Sequence, residues 1–324
     1  MGEGNSKIVI IGAGFVGATI AYTIAQHQLV HEVVLIDVNR DKAKGEAMDI
    51  SHGLCHMGQM DVHEGDYSDC ADSDIVIITA GVNRRPGETR LDLAKRNVPI
   101  SKSITENIMK YYTRGVILVV SNPVDVLTYL VQKWSGLPNG RVMGTGTGLD
   151  SSRFRTLLSQ KIGVDIRNVH GYMIGEHGDA MLPMWSATNI AGQTLDETCV
   201  AYGIDPLTDE EKEELLSMVK TGGAEVIKKK GATYFAIASV TASICETILK
   251  NQNTIKTVSS VINGPQGIYD VALSLPSVVS NMGVTKVLNL KLTEAEQAGL
   301  DSCVQKMKSF LAQVQATQYD GLER

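Results

Sequence analysis

Cysteine is scarce and unpaired in this sequence. Cys55, Cys70, Cys199, Cys245 and Cys303 are spread over 324 residues, and no two stand at CxxC spacing. An odd count at wide intervals argues against a disulfide framework or a zinc site, and no metal is expected. The plain role for each thiol is that of a small buried apolar group, and a reducing cytoplasm fits best. There is also no basic tail and no lysine-rich block. The net charge is −6, which argues against nucleic acid or an anionic membrane as main partner. Long apolar runs are nearly absent. Only Ile8 to Ala25 could pass for the apolar region of a signal peptide, and three glycines at fixed offsets break it. No other segment reaches the ~20 apolar residues that span a bilayer. Repeats, low-complexity tracts and long linkers are missing as well.

What is present is a composition for burial: 43% hydrophobic and 20% charged residues, with enough length for two domains. In the first half, short Val/Ile runs ("KIVIIG", "EVVLID", "DIVIITA", "VILVVSN") alternate with segments of helical spacing. That alternation predicts a parallel sheet with crossover helices, a doubly wound α/β domain. The second half differs. Thr208 with Glu211, and Thr293 with Glu296, stand at capping-box spacing ahead of two helices. "TIKTVSSVI" and "YDVALSLPSVV" predict strands of antiparallel character. The last helix carries Leu300, Val304, Met307 and Leu311 on one stripe. The fold class is thus a Rossmann-type sheet over residues 1–145, followed by a mixed α/β domain over 146–324, with the boundary in "GTGTG".

Gly12, Gly14 and Gly17 form GxGxxG after a strand and at the opening of a helix. Asp37 ends the second strand, twenty residues past Gly17. In that context the motif points to a dinucleotide. Gly12 permits the tight turn, Gly14 the approach of a pyrophosphate, and Gly17 the packing of helix on strand. Asp37 would accept from both ribose hydroxyls and repel a 2′-phosphate, which favours NAD over NADP. The alternative is a glycine-tolerant turn beside a surface aspartate.

"GEHGD" places His177 among small residues. A histidine can give and take a proton near neutral pH, although a lone histidine is more commonly a hydrogen-bonded structural residue. In "LDSSRFR", Asp150 and Arg153 share one helix face, where Asp150 could orient an imidazole and Arg153 could grip a carboxylate by two parallel bonds. A solvated helix face is the alternative. Arg155 points about 200° away from Arg153, at ~100° per residue, so it needs another job. In "SNPVD", Asn122 ends a strand and could bond a carbonyl or a cofactor amide, with Pro123 as a natural first helical residue.

In order and spacing, "GAGFVG", "LIDV", "RPGETRLDL", "SNPVD", "LDSSRFR" and "GEHGD" resemble the L-lactate/malate dehydrogenase family over essentially the whole chain. The resemblance implies reversible hydride transfer between NAD and a small 2-hydroxy or 2-oxo acid. It implies His177 as acid/base with Asp150 as partner, Arg153 on the substrate carboxylate, and Arg90 polarising the carbonyl. Asn122 would orient substrate and nicotinamide, Thr233 line the pocket, and Ile237 pack on the nicotinamide. Residues 82–90 would form a mobile lid shaped by Pro86 and Gly87, with Arg85 in solvent. A cytoplasmic homotetramer acting in glycolysis is implied as well.

Two signals conflict over the substrate. Arg84 stands where malate enzymes of the family carry an arginine for a second carboxylate. Glu176 and Thr233 look like the lactate branch. Arg155 and His170 match a pair that binds fructose bisphosphate between subunits in bacterial lactate dehydrogenases; an ordinary surface contact is the alternative. The expectation is a bacterial-type L-lactate dehydrogenase with tolerance for oxaloacetate, and malate dehydrogenase is the runner-up. A non-catalytic NAD-binding protein is a remote third, since none of His177, Arg153 and Arg90 is lost. An NADP-linked reductase is disfavoured by Asp37 and by the lack of a Tyr-x-x-x-Lys pair in the region expected for it.

Overall fold

The computed structural model describes residues 6–85 and 87–319; Pro86, expected to shape the lid, lies outside the described residues. The first half runs β1 (Lys7–Ile11), α1 (Phe15–Gln26), β2 (Glu32–Ile36), α2 (Arg40–Gly53), β3 (Asp61–Glu64), β4 (Ile75–Ile78), α3 (Arg90–Met109), β5 (Val116–Val119), α4 (Val124–Ser135) and β6 (Val142–Gly144). Its strands stand in the order β3-β2-β1-β4-β5-β6, all parallel. That is the doubly wound order, whose carboxyl edge offers a ligand crevice where the winding reverses.

The strand sequences explain this arrangement. Val9, Ile11, Val76, Ile78, Ile117 and Val119 face one side; Ile8, Ile10, Ile75, Ile77, Val116 and Leu118 face the other. With both faces buried, a strand reads as a continuous Val/Ile run rather than an alternating one. Each such side chain contributes roughly 1.5–3 kcal/mol on burial, so a charge at any of these positions would break its layer.

The second half begins with α5 (Gly148–Ile162), which stops at Gly163 in the left-handed region (φ 83°). Short strands follow: β7 (Val169–His170), β8 (Met173–Ile174), β9 (Leu182–Pro183), β10 (Asn189–Ile190) and β11 (Gln193–Thr194), in the sheets β11-β10-β7 and β8-β9. Then come α6 (Leu195–Ala201), α7 (Asp209–Lys230), α8 (Phe235–Leu249), β12 (Thr254–Asn263), β13 (Tyr269–Ser280), β14 (Gly283–Val287) and α9 (Glu294–Tyr319). α5 and α7 enclose a core of their own around Phe154, Leu158 and Val219.

The halves are more interwoven than the linear reading suggests. β12 pairs antiparallel with β6 at Ser259 and Gly144, so the antiparallel strands β12 to β14 extend the first-half sheet to nine strands. α8 joins α1 and α2 on one face through Ala238, Ile244 and Ile248. α9 joins α3 and α4 on the other, through the expected Leu300, Val304, Met307 and Leu311. The capping residues Thr208 and Glu211 form a reciprocal box at the start of α7. Glu296 likewise holds the Thr293 N–H and also accepts from Ser186. Pro123 sits one position earlier than expected: it is the N-cap of α4, after a cis Asn122–Pro123 bond, and not its first residue.

Candidate active site

The turn from β1 into α1 is built around backbone. Gly12 has φ 109°, and a Cβ there would lie 2.6 Å from the Ala80 nitrogen. At Gly17 a Cβ would lie 1.8 Å from the Gly12 carbonyl oxygen, so only glycine lets α1 pack this closely. Gly14 differs: it is the N-cap of α1, no side chain caps the helix there, and the space a Cβ would enter is open. The chain thus leaves uncapped amides facing open space, a cradle fitted to an anion such as a pyrophosphate. Asp37 stands just past β2. Its Oδ2 accepts from the Ala13 N–H at 2.7 Å and its Oδ1 from the Asn39 N–H at 2.9 Å. Each oxygen keeps a lone pair, as hydroxyl recognition would require. Tyr234 stacks on Phe15 with centroids 5.5 Å apart, which brings the segment holding Thr233 and Ile237 against α1. Both of those residues are half-buried.

Across the edge of the sheet lies a set of charges. Asp150, in the first turn of α5, is fully buried. Its Oδ2 is 2.6 Å from His177 Nδ1, and its Oδ1 accepts from Arg153 Nη1 at 2.9 Å. An ionised carboxylate can only accept, so Nδ1 is the donor and Nε2 is the ring atom left for chemistry. Burial pulls the His177 pKa down, but the Asp150 carboxylate and, to a smaller extent, Asp125 pull it up, and the net direction is up. Arg153 is backed by α7, where a Cβ on Gly222 would lie 3.3 Å from its Cδ and one on Gly223 3.4 Å from its Nη2.

Arg90 was expected on the lid. It is instead the first residue of α3, behind the N-cap Thr89. Its Nη1 donates to Glu176 Oε1 at 2.7 Å and its Nη2 to the His177 carbonyl at 3.3 Å. A Cβ on Gly178 would sit 2.4 Å from Arg90 Nη1, so a larger residue there would displace this guanidinium from its present position. Asn122 presents an exposed side chain at the carboxyl end of β5, while its carbonyl accepts from Asn97 Nδ2. The buried Asn97 also bonds both main-chain groups of Val82, so one amide ties the root of the lid loop to the strand end carrying Asn122. Arg84 is exposed, and its Nε donates to the Glu88 carbonyl at 2.7 Å. Arg85 is exposed too. On the far side of α5, Arg155 Nε bonds the Gly171 carbonyl at 2.9 Å, one residue from the exposed His170.

Three participants carried no legible role in the sequence: Asn97, Asp125 and Ser259. Asp125 accepts from the His177 N–H and from the Ser259 hydroxyl. The one available signal was an aspartate inside the apolar run "VDVLTYL". Tyr129 and Lys133 of α4 do have Tyr-x-x-x-Lys spacing, but Lys133 is ion-paired with Asp270 on the surface, away from the charges around His177.

Residues 6–144 match the NAD binding domain of lactate/malate dehydrogenases, and residues 147–318 match their alpha/beta C-terminal domain. An L-lactate dehydrogenase of Thermoanaerobacter sp. (strain X514) is 48% identical over 95% of this chain and 99% of its own. A solved L-lactate dehydrogenase from Clostridium thermocellum is 55% identical, covers 95% of this chain and 99% of its own, and superposes with a TM-score of 0.84. The minor L-lactate dehydrogenase of Enterococcus mundtii, in a ligand-bound crystal form, is 41% identical with a TM-score of 0.91, over 95% of this chain and 98% of its own. With the site geometry, these matches place the chain in the lactate/malate dehydrogenase family.

Proposed function

We propose that the chain is an NAD-dependent L-lactate dehydrogenase, interconverting pyruvate and L-lactate. The observation that carries this reading is the chain of contacts from Arg153 through Asp150 to His177, with Arg90 on the His177 carbonyl. It holds a carboxylate grip, an oriented acid/base and a polarising cation at the edge of a dinucleotide cradle. Bound NADH supplies the hydride for the keto carbon. Gly14 and the α1 amides hold its pyrophosphate, Asp37 its ribose, and Asn122 and Ile237 its nicotinamide end. Arg153 pairs with the pyruvate carboxylate, and Thr233 lines the pocket. Arg90 stabilises the negative charge that develops on the carbonyl oxygen, and His177 Nε2 delivers the proton there. In the reverse direction His177 takes that proton back. Residues 82–89 form the lid, hinged where Asn97 grips Val82, and exclude water when closed. The dinucleotide-binding unit is 1–145 and the substrate unit 146–324, a division supported by the two family matches meeting there.

The relatives' activity supports pyruvate over oxaloacetate. Arg84 is the residue that favours malate chemistry, yet it is exposed and bonded within its own loop. Closing the lid on pyruvate with that guanidinium buried and unpaired would cost ~3–5 kcal/mol, about two to three decades of specificity. An arginine that turns to water avoids the penalty. NADH oxidation with pyruvate and with oxaloacetate is the deciding measurement. A higher kcat/KM for pyruvate is expected, and far better turnover of oxaloacetate would replace the reading with malate dehydrogenase. Arg84→Gln should cut oxaloacetate turnover sharply and spare pyruvate; unchanged oxaloacetate turnover would mean that Arg84 never enters the site.

Arg155 on α5 and His170 in β7, next in sequence to the Gly171 whose carbonyl Arg155 bonds, are the proposed contacts for fructose bisphosphate between subunits of a homotetramer. The expected result is a lower KM for pyruvate when the effector is added, lost in Arg155→Gln.

A further inference from the structure

The two other buried carboxylates around His177 have cationic partners: Asp150 has Arg153 and His177, and Glu176 has Arg90. Asp125 has no ion pair of this kind among the described residues. It lies in the first turn of α4, 1% exposed. Its oxygens accept from two neutral donors, the His177 N–H on Oδ2 at 2.7 Å and the Ser259 hydroxyl on Oδ1 at 2.6 Å. Burial pushes its carboxyl pKa up, and these two bonds oppose the shift only in part. The titratable groups facing it are His177 and Glu176 from the loop after β8, and Cys303 from α9. A carboxylate here costs free energy that a valine or leucine would not.

We propose that Asp125 is a positioning residue for the acid/base: by gripping the His177 peptide N–H it sets where the imidazole stands relative to Asp150 and the reacting carbonyl. This rests on the reading of His177 as the proton carrier. His177 lies in an irregular segment between β8 and β9, with Gly175 at φ 91° and Gly178 beside it, so local chain stiffness does little to orient its peptide. Three contacts do so instead: Asp150 on the ring, Arg90 on the carbonyl and Asp125 on the N–H. The first two groups also serve the substrate side. Asp125 does not; its second bond runs to β12, in the sheet itself. Asp125 is also three residues beyond Asn122, so one short stretch carries both the strand-end amide and the tether, and a shift of α4 would move them together.

The test compares two substitutions. Asp125→Asn keeps the shape and can keep both bonds, since its amide oxygen accepts from the His177 N–H and its NH2 donates to the Ser259 oxygen. Asp125→Leu keeps the bulk, removes the burial cost and makes neither bond. Misplacing a reacting group by about an ångström costs on the order of 100-fold. Asp125→Leu is therefore expected to lower kcat for pyruvate about 30- to 100-fold, with the KM for pyruvate and the Kd for NADH within about twofold. Asp125→Asn should return kcat to within about threefold of the parent. In the unmutated protein the His177 amide hydrogen should be strongly protected from exchange. A parent-like kcat in Asp125→Leu, or an Asn variant as slow as the Leu variant, overturns the proposal. Should the Leu variant not fold, a His177 amide that exchanges as fast as an open loop overturns it equally. His177→Asn is assayed alongside: retained turnover there sinks the acid/base reading itself, whereas its collapse beside an unaffected Asp125→Leu sinks only the tether.

Discussion

Replacing His177 with asparagine is expected to lower kcat for pyruvate reduction by about two to four decades, the range that a positioned acid/base contributes. NADH affinity should stay at the parent value, because the cradle at Gly12, Gly14 and Asp37 is formed by β1, α1 and β2 without His177. The pH profile of the parent carries the same information. Reduction needs the protonated ring, so kcat/KM for pyruvate should be level at low pH and fall as pH rises through the His177 pKa. Lactate oxidation needs the neutral ring and should rise through the same pKa. That pKa is raised: burial opposes the charge, and Asp150, with a smaller contribution from Asp125, raises it on balance. Asp150→Asn removes the larger of the two raising charges but leaves a group of the same shape, so the falling limb for pyruvate should move to lower pH and kcat should drop. A limb that stays in place would mean that another group titrates.

How far the sequence could foresee this site depends on the distance over which each contact acts. The parallel strands were legible because both of their faces are buried, which writes an unbroken apolar run into the chain. The cradle was legible because its glycines are demanded by local clashes, such as that of Gly17 with the Gly12 carbonyl. Asp150 and Arg153 were legible because helical periodicity alone places them together. Glu176 with Arg90, and Asp125 with Ser259, stand 86 and 134 positions apart, and no local pattern announces such pairings. The same holds for β12 extending the first-half sheet: its ladder with β6 is a single paired position, Ser259 with Gly144. Arg90 departs from the expected lid because the reciprocal capping box of Thr89 and Asp92 inside "GETRLD" starts α3 at Arg90 itself.

Arg153→Leu is the second large effect. The guanidinium is only 21% exposed, and one of its nitrogens is already committed to Asp150. The remaining N–H groups of the planar fork are what a substrate carboxylate can meet in two parallel bonds. Leaving a substrate carboxylate unpaired in a closed site costs ~3–5 kcal/mol, about two to three decades in kcat/KM, carried mainly by KM. Arg153→Lys should recover only part of this, since an ammonium supplies charge without the fork. The pH profile gives an independent check with a definite sign. Arg153 pulls the His177 pKa down, so its removal should move the falling limb for pyruvate to higher pH, opposite to Asp150→Asn. A KM within about threefold of the parent would place the substrate carboxylate elsewhere. A large KM change with the limb moving down would mean that loss of Arg153 has disturbed Asp150 and not only emptied the carboxylate grip. Because a Cβ on Gly222 of α7 would come within 3.3 Å of Arg153 Cδ, Gly222→Ala should give a milder version of the same result: a raised KM for pyruvate, with the His177 limb unmoved.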